Sequence, residues 1–303
     1  MNPARRLTYR IRARVPKRAE TAVRRVMLRW GMLTAPVRML PDTIIVGAQR
    51  SGTTTLFRML SEHPQVVRPT LSKGTAYFDL HHERGPTWYR AHFPLKVLAW
   101  VRSPRQHRMT FESCGYYMFH PLAAGRIAEE LPHVRVIVLL RDPVDRAYSA
   151  HRHELNRGFE TLDFDEALER EEGRLRGEEQ RLVEDPTAYS FEHQHHAYLA
   201  RSRYVEQVRR LFDTFGRDRV MVMDAEALFA DPQGEFARLC DWLAIDPPVA
   251  VRGEQWNAQP RDPLSPERRA ELTDYFAPYD EELATLIGRP LSWRDPGPRP
   301  GSS

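Results

Sequence analysis

Continuous apolar runs that pass into helical patterns recur along this chain. Residues 44–46, 134–140 and 220–223 are runs of mostly branched residues, which is the pattern of strands buried on both faces. Helical spacing of apolar residues follows, and it ends in several places at Gly or Pro. Strands alternating with helices predict an α/β fold, a P-loop-like and mainly parallel sheet with helices on both faces. The predicted helices cover 53–60, a stretch from 143, 164–182, 205–215, 237–243, and a final pair within 268–286.

The first apolar run leads into a loop bounded by two glycines. Gly47 and Gly52 are separated by four residues, and Thr53 opens the predicted helix. Main-chain amides at such a helix N-terminus, together with the helix dipole, form an anion site. A Walker A loop has Lys directly after the second Gly, but this chain has Thr53 there and carries its cation at Arg50 inside the loop. The loop therefore favours one 5′-phosphate with an attached group over a triphosphate.

A second strand-to-helix stretch, 134–149, predicts another phosphate contact. Asp142 is placed as N-cap and Pro143 as the first helical residue. Arg141 ends the strand, and Ser149 lies about two helical turns later. Ligands of parallel sheets bind beyond the carboxyl ends of the strands, so both stretches face one crevice.

Together the two stretches resemble the nucleotide-binding motifs of sulfotransferases that use 3′-phosphoadenosine 5′-phosphosulfate (PAPS). The resemblance is to the bacterial and glycan-sulfating branch, as in heparan sulfate sulfotransferases, and runs from about residue 41 to about residue 293. It implies PAPS as co-substrate and no metal. It also implies a basic loop over the 3′-phosphate, for which Arg252 and Arg261 are candidates. The implied nucleotide-binding residues are Arg50, Ser51, Gly52, Thr53, Thr54, Arg141, Ser149 and Arg203.

On the acceptor side, the family pattern Lys-Glu-x-His-Phe-Phe-Asp matches residues 73–79 only in part. Lys73 and Asp79 are present, but Gly74 stands at the Glu position and Ala76 at the His position. The family's usual general base is therefore missing from its place. The segment 111–121 resembles a second acceptor-side motif and supplies Glu112.

We predict Glu112 as the general base, with Asp79 as the alternative carboxylate. Arg50 and Lys73 complete the predicted catalytic set. His153 and the histidines of 193–196 have a suitable pKa, but they lie outside the matched motifs. The histidine cluster is interpreted as substrate-binding or helix-surface residues rather than a metal site, because its spacing does not suit a metal.

Charge is distributed unevenly over the 303 residues. The net charge is +4, yet residues 1–40 alone carry +10, so the remainder carries −6. No apolar run is long enough to span a membrane, and no secretory signal is apparent near Met1. Two cysteines, Cys114 and Cys240, do not suggest a disulfide framework, which fits a cytoplasmic protein.

Three regions are predicted: a basic arm (1–40), a sulfotransferase domain (41–293) and a disordered tail (294–303). The arm contains an amphipathic helix, 17–33, with Val23, Val26, Met27 and Trp30 at helical spacing among arginines. Two hypotheses stay open for this helix. Its apolar stripe packs on the domain, or it makes peripheral contact with an anionic membrane.

The resemblance implies transfer of a sulfuryl group from PAPS to a hydroxyl, or less readily an amine, of a carbohydrate, glycolipid or other small metabolite. Adenosine 3′,5′-bisphosphate would be released. Two alternatives remain: a P-loop kinase, opposed by the missing Walker lysine, and a non-catalytic nucleotide-binding protein, suggested by Gly74 and Ala76. No nucleic-acid partner is expected, because no recognition module accompanies the basic arm.

Overall fold

Within the described residues, five strands form one sheet. In this computed structural model the chain is described over residues 17–98, 108–251 and 263–294, with side chains from residue 21. Arg252, Arg261 and the tail from residue 295 lie outside these ranges. The strands are β1 (Thr43–Gly47), β2 (Val66–Val67), β3 (Met109–Ser113), β4 (Arg135–Leu140) and β5 (Val220–Asp224).

The sheet is parallel throughout, with the order β2-β3-β1-β4-β5. β1 is central and pairs with β3 on one side and β4 on the other, with Thr43 opposite both Phe111 and Arg135. The carboxyl ends of β1 and β4 therefore lie side by side, which confirms the mainly parallel sheet predicted from the apolar runs.

Helices cover both faces of the sheet, as predicted. Along β1, Ile44 and Val46 contribute to one apolar core, and Ile45 contributes to the other. This alternation explains why both faces of the strand must be apolar. The helices are α1 (Lys17–Leu33), α2 (Thr53–Glu62), α3 (Tyr77–Leu80), α4 (Gly85–Arg90), α5 (Ala123–Glu130), α6 (Pro143–Arg157), α7 (Phe164–Leu175), α8 (Glu178–Glu184), α9 (Phe191–His195), α10 (Tyr204–Phe215), α11 (Ala225–Ala230), α12 (Pro232–Leu243) and α13 (Pro266–Ile287).

The start of α6 confirms the predicted cap. The Asp142 side chain accepts hydrogen bonds from the amides of Val144, at 2.9 Å, and Asp145, at 3.3 Å, and Pro143 occupies the first turn. These bonds satisfy amides that the helix leaves without partners. They fix the direction in which α6 leaves β4, and hence the place of Ser149.

The helical prediction was wrong in two places. The expected pair within 268–286 is the single helix α13, which continues through Pro278. The expected helix at 164–182 is two helices, α7 and α8, separated at Gly177 with φ +77°. A left-handed residue ends α-helical geometry, and Gly adopts that conformation without a Cβ penalty.

No described helix is long and apolar enough to span a membrane. The helix α1 contacts the domain near its C-terminal end. The exposed fraction is 57% for Val23, 66% for Val26 and 58% for Trp30. The hypothesis that the apolar stripe of α1 packs on the domain is therefore wrong.

Candidate active site

The loop between β1 and α2 is shaped as an anion cradle. Arg50 and Gly52 both have positive φ, +74° and +91°, a backbone geometry that turns successive amides toward one side. The Ser51 amide donates to the Ala48 carbonyl at 3.2 Å, whereas the amides of Gly52, Thr53 and Thr54 donate to no group in the part of the chain that the structure describes. Three open amides at the N-terminus of a ten-residue helix suit a phosphate or phosphosulfate group.

Arg50 connects the loop to the second motif. Its Nε donates to Ser149 Oγ on α6 at 3.1 Å, across 99 positions of sequence. The amide of Ala48 also donates to the Leu139 carbonyl on β4 at 2.9 Å. The two stretches identified separately in the sequence thus line one crevice at the carboxyl end of the sheet.

Lys73 supplies a second cation directly at the loop. Its Nζ donates to Thr54 Oγ1 at 3.1 Å and lies 3.4 Å from Thr53 Oγ1. Burial lowers the pKa of Lys73 to about 8, so the amine is protonated over most of the neutral range. In the sequence Lys73 belongs to the acceptor-side motif. In the fold its amine lies at the N-terminus of α2, where a Walker A loop would place its own lysine.

Arg141 lies at the end of β4, where the sequence predicts it. Its Nη2 donates to Asp145 Oδ2 at 2.9 Å, and its side chain is 17% exposed. Its carbonyl accepts a hydrogen bond from the Tyr204 hydroxyl at 3.0 Å. The guanidinium is thus held beside the N-terminus of α6, with donors left for an anion.

Arg203 is directed elsewhere. Its Nε donates to the Tyr275 hydroxyl at 2.9 Å, and its guanidinium lies 5.3 Å from the centre of the Tyr279 ring. Both tyrosines belong to α13. The structure does not bring Arg203 together with the loop, unlike Arg50, Ser149 and Lys73.

A buried arginine that the sequence comparison missed lies beneath the crevice. Arg146 is 0% exposed, and its Nε donates to Ser202 Oγ at 2.7 Å. Its other acceptors are main-chain carbonyls rather than a carboxylate, and the positive charge of Arg50 helps to lower its pKa after the larger effect of burial. A buried charge one helical turn before Ser149, on an otherwise apolar face, was the signal available in the sequence.

The hydrogen bonds of Glu112 are those of a structural carboxylate. Glu112 is 0% exposed near the end of β3. One oxygen accepts from the Thr75 amide and hydroxyl, both at 2.6 Å, and from the Tyr117 hydroxyl at 3.0 Å; the other accepts from the Tyr89 hydroxyl at 2.8 Å. A carboxylate enclosed by four donors has no free access to a substrate hydroxyl. This geometry argues against Glu112 as general base.

Asp79 is also buried, at 7% exposed, but it has fewer hydrogen-bond donors around it. It accepts one main-chain hydrogen bond, from the Leu80 amide at 2.6 Å, and the thiol of Cys114 donates to its other oxygen at 3.3 Å. Burial raises the pKa of Asp79 to about 6, only partly offset by these bonds. A carboxylate with few strong donors and a pKa near neutrality has the properties of a general base.

The Asp79 side chain lies close to the nucleotide loop through its neighbour Cys114. The Cys114 amide donates to the Ile45 carbonyl of β1 at 3.0 Å. A Cβ on the next residue, Gly115, would lie 3.1 Å from Cα of Gln49 in the loop. The segment after β3 therefore packs directly on the anion cradle, and Cys114 of the same segment contacts Asp79.

The three histidines of 193–196, which were predicted to bind substrate or to lie on a helix surface, are buried and make internal hydrogen bonds. His193 Nδ1 lies 2.8 Å from the Tyr116 hydroxyl, and His195 Nδ1 lies 3.0 Å from Glu154 Oε2. Burial lowers the pKa of His193 to about 3, so it stays neutral. Within residues 17–98, 108–251 and 263–294, no group of three or more His, Cys, Asp or Glu side chains could hold a metal. His153, half-buried near Arg50, also has a lowered pKa because of burial and that charge.

Comparisons with known proteins agree with this geometry. The family described as a sulfotransferase domain matches residues 40–256. The crystal structure of a sulfotransferase from Alicyclobacillus acidocaldarius superposes with a TM-score of 0.64 at 29% identity, covering 85% of this chain and all of that one.

Curated relatives are more distant in sequence. Membrane-associated sulfotransferase kil1 of Dictyostelium discoideum is 25% identical, covering 84% of this chain and 67% of its own length. Heparan sulfate glucosamine 3-O-sulfotransferase 5 of Homo sapiens is 22% identical, with 85% and 75% covered. The chain spans only 22% of the bifunctional heparan sulfate N-deacetylase/N-sulfotransferase 1 of Caenorhabditis elegans.

The match to the family extends over the strands, the loop and the second motif that form the crevice. It also includes the acceptor-side segments that carry Lys73, Asp79 and Glu112. Because the match covers more than two thirds of the 303 residues, the chain belongs to the sulfotransferase domain family and is a sulfotransferase.

Proposed function

We propose that the protein transfers the sulfuryl group of PAPS to a hydroxyl of a carbohydrate, a glycolipid or another small metabolite, and releases adenosine 3′,5′-bisphosphate. The observation that carries this proposal is the hydrogen bond from Arg50 Nε to Ser149 Oγ, at 3.1 Å. It joins two anion-binding motifs in one crevice. A nucleotide with separate 5′ and 3′ anionic groups fits that arrangement.

Each of the two motifs binds a different part of the nucleotide. The open amides of Gly52, Thr53 and Thr54 face the 5′-phosphosulfate, with the hydroxyl of Ser51 beside them. Arg141 and Ser149 bind the 3′-phosphate on the other side of the crevice. We assign Arg203 to the structural contact with α13 instead.

The leaving group gains negative charge on the oxygen that bridges sulfur and the 5′-phosphate. Arg50 and Lys73, together with the loop amides, stabilise that charge. Arg50 acts purely electrostatically, because a guanidinium does not give up its proton near neutral pH. Lys73 replaces the Walker lysine from a different segment of the chain.

Asp79 is the proposed general base. The acceptor oxygen attacks sulfur while the bond from sulfur to the bridging oxygen breaks, and the hydroxyl proton passes to the Asp79 carboxylate. Its raised pKa, about 6, makes the carboxylate a stronger base than an exposed Asp while it stays ionised at neutral pH.

Two observations support a carbohydrate as the acceptor. Several of the relatives are named as heparan sulfate sulfotransferases. The hydroxyl of the buried Tyr116 pairs with neutral His193, and the His193 ring stacks on Phe119 at 4.3 Å where both rings line a surface pocket. Rings without charge suit the apolar faces and hydroxyls of a sugar.

The pH dependence of sulfuryl transfer tests these assignments. With PAPS and a hydroxylated acceptor, kcat/KM is expected to rise with pH through about 6, as Asp79 ionises, and to fall through about 8, as Lys73 loses its proton. The measurement is release of adenosine 3′,5′-bisphosphate across this range. In the Lys73→Arg variant the alkaline limb should move to higher pH, because arginine keeps its charge.

Acceptor-dependent release of the bisphosphate with both limbs present supports the proposal. A flat profile through pH about 6 would remove Asp79 from the role of base. Equal turnover of ATP with Mg²⁺ as donor would instead favour the kinase alternative, and binding of PAPS without transfer to any acceptor would favour a non-catalytic nucleotide-binding protein.

A further inference from the structure

The helix α1 has an exposed apolar stripe that no described part of the chain covers. Val23, Val26, Met27 and Trp30 follow the i, i+3, i+4, i+7 spacing of one helix face, and they are 57%, 66%, 40% and 58% exposed. Leu33, at the end of the same face, is 80% exposed. Apolar residues that are exposed singly are normal on protein surfaces, whereas a contiguous stripe marks an interaction site.

The helix is anchored, so the stripe has a defined orientation. A Cβ on Gly31 would lie 2.6 Å from the Ala91 carbonyl oxygen, which shows how closely the helix approaches α4. Arg38, just beyond the helix, donates from Nε to Thr34 Oγ1 at 2.8 Å, and its carbonyl accepts from Arg90 Nε at 3.1 Å. The C-terminal end of α1 is therefore fixed, and the stripe points away from the domain.

Exposed arginines flank the stripe. At 100° per residue Arg29 lies on one side of it and Arg24 on the other, whereas Arg25 lies toward the opposite face; all three are exposed. The sequence before the helix adds five further arginines between residues 5 and 14. Residues 1–40 thus carry +10, whereas the remaining chain carries −6.

We propose that α1 lies in the surface of an anionic bilayer, with the stripe between the acyl chains and the arginines at the lipid phosphates. The combination of features selects this partner. Nucleic acid would use the arginines but has no place for an exposed tryptophan and three aliphatic residues. An apolar protein groove would use the stripe but would leave the arginines without partners. An anionic lipid surface uses both.

Neighbouring residues extend the apolar surface at the anchored end. Val37 is 57% exposed, and Val97 and Leu98 are 55% and 51% exposed. The isolated bridge between Arg38 and Leu95 brings these two segments together. The bilayer-facing surface therefore includes the base of the helix, close to α4 and the acceptor-side segment that precedes it.

The test is co-sedimentation of the full chain with vesicles of phosphatidylcholine alone or mixed with phosphatidylglycerol. Wild type is expected to bind the anionic vesicles. The double variant Val26→Asp and Trp30→Asp should lose at least about tenfold in partitioning, because the stripe no longer enters the bilayer. Replacing the flanking Arg24 and Arg29 by Glu should weaken partitioning about thirtyfold or more, at about fivefold for each basic residue removed from the lipid surface.

Matched controls make the same types of substitution outside the arm, so that the position of a substitution is distinguished from its chemical type. Val183→Asp with Val249→Asp replaces two apolar residues that are 46% and 102% exposed outside the arm. Arg209→Glu with Arg238→Glu makes the same charge change at exposed arginines on α10 and α12. Both controls should bind anionic vesicles within about threefold of wild type, after the long-range effect of net charge is reduced by moderate salt.

Three outcomes would overturn the proposal. Wild type fails to sediment with anionic vesicles, or the stripe variant binds as well as wild type, or control and arm variants lose binding equally. A stripe variant that dissociates a wild-type dimer in light scattering, without vesicle binding by wild type, would identify a second copy of the chain as the partner instead. Sulfuryl transfer to a soluble acceptor is measured separately, so either proposal can fail alone.

Discussion

Replacing Asp79 by asparagine is expected to lower kcat/KM by about a hundred- to ten-thousandfold, the usual contribution of a positioned general base. The amide keeps the size of the side chain, and its single oxygen can still accept the hydrogen bond from the Leu80 amide, although the second one, from Cys114, is lost. Binding of the nucleotide should change little, because Asp79 has no contact with the loop. The measurement is steady-state sulfuryl transfer alongside calorimetric binding of the bisphosphate.

Glu112→Gln is the matched control, since it makes the same chemical change at the other carboxylate. Glutamine cannot accept the hydrogen bonds of all four donors around Glu112, so thermal unfolding should occur at a lower temperature. The folded enzyme should keep most of its turnover. If Asp79→Asn retained its rate while Glu112→Gln lost it without loss of stability, the two roles would have to be exchanged.

Replacing Arg50 by alanine is the second change with a large expected effect. It removes the proposed donor to the bridging oxygen and the observed contact with Ser149. Loss of one such preorganised donor typically costs about 2.7–4 kcal/mol, or roughly a hundred- to a thousandfold in kcat. Single-turnover transfer from PAPS measures this step.

The conservative variant Arg50→Lys distinguishes charge from shape. Lysine keeps the positive charge in the loop, so the rate should recover to within about tenfold of wild type. Equal loss in the alanine and lysine variants would show that the guanidinium acts through its hydrogen bond to Ser149, holding the loop, rather than through its charge. An unchanged rate in Arg50→Ala would exclude both.

The two loops of the proposed nucleotide site could be predicted from sequence because their signals are local. Gly47, Gly52 and the N-cap Asp142 each specify a backbone geometry within a few residues. The apolar runs of β1 and β4 place these two strands in one parallel sheet. The loops that follow them therefore meet at the carboxyl end of that sheet. Arg203 is the exception. Its direction is determined by contacts with Tyr275 and Tyr279 on α13, a helix that is far from Arg203 in the sequence.

The acceptor half could not be predicted in the same way, because its roles depend on burial. Glu112 and Asp79 are equivalent in a sequence, and only the fold shows that one is enclosed by hydroxyls and the other by a thiol. The strand β3 was itself missed. Its alternate residues Thr110 and Glu112 are polar but fully buried with partners, so hydropathy does not indicate a strand.

The departure at Gly74 has a structural reason. The Ser113 amide donates to the Lys73 carbonyl at 3.0 Å, which brings the two backbone segments close together. A Cβ on Gly74 would therefore lie only 2.4 Å from the Ser113 carbonyl oxygen. This backbone has no space for the glutamate that the family pattern places at that position. The close approach holds Lys73 against the loop, and the adjoining turn places Asp79 beside Cys114.

The most direct test of the nucleotide assignment is calorimetric titration with adenosine 3′,5′-bisphosphate, beside ATP with Mg²⁺. Tight binding of the bisphosphate without metal is predicted. Arg141→Ala should weaken it by about 1.5–3 kcal/mol, the value of a hydrogen bond to a charged group, whereas Arg203→Ala should leave it unchanged. Preference for ATP with Mg²⁺, or equal binding by wild type and Arg141→Ala, would contradict a PAPS site in this crevice.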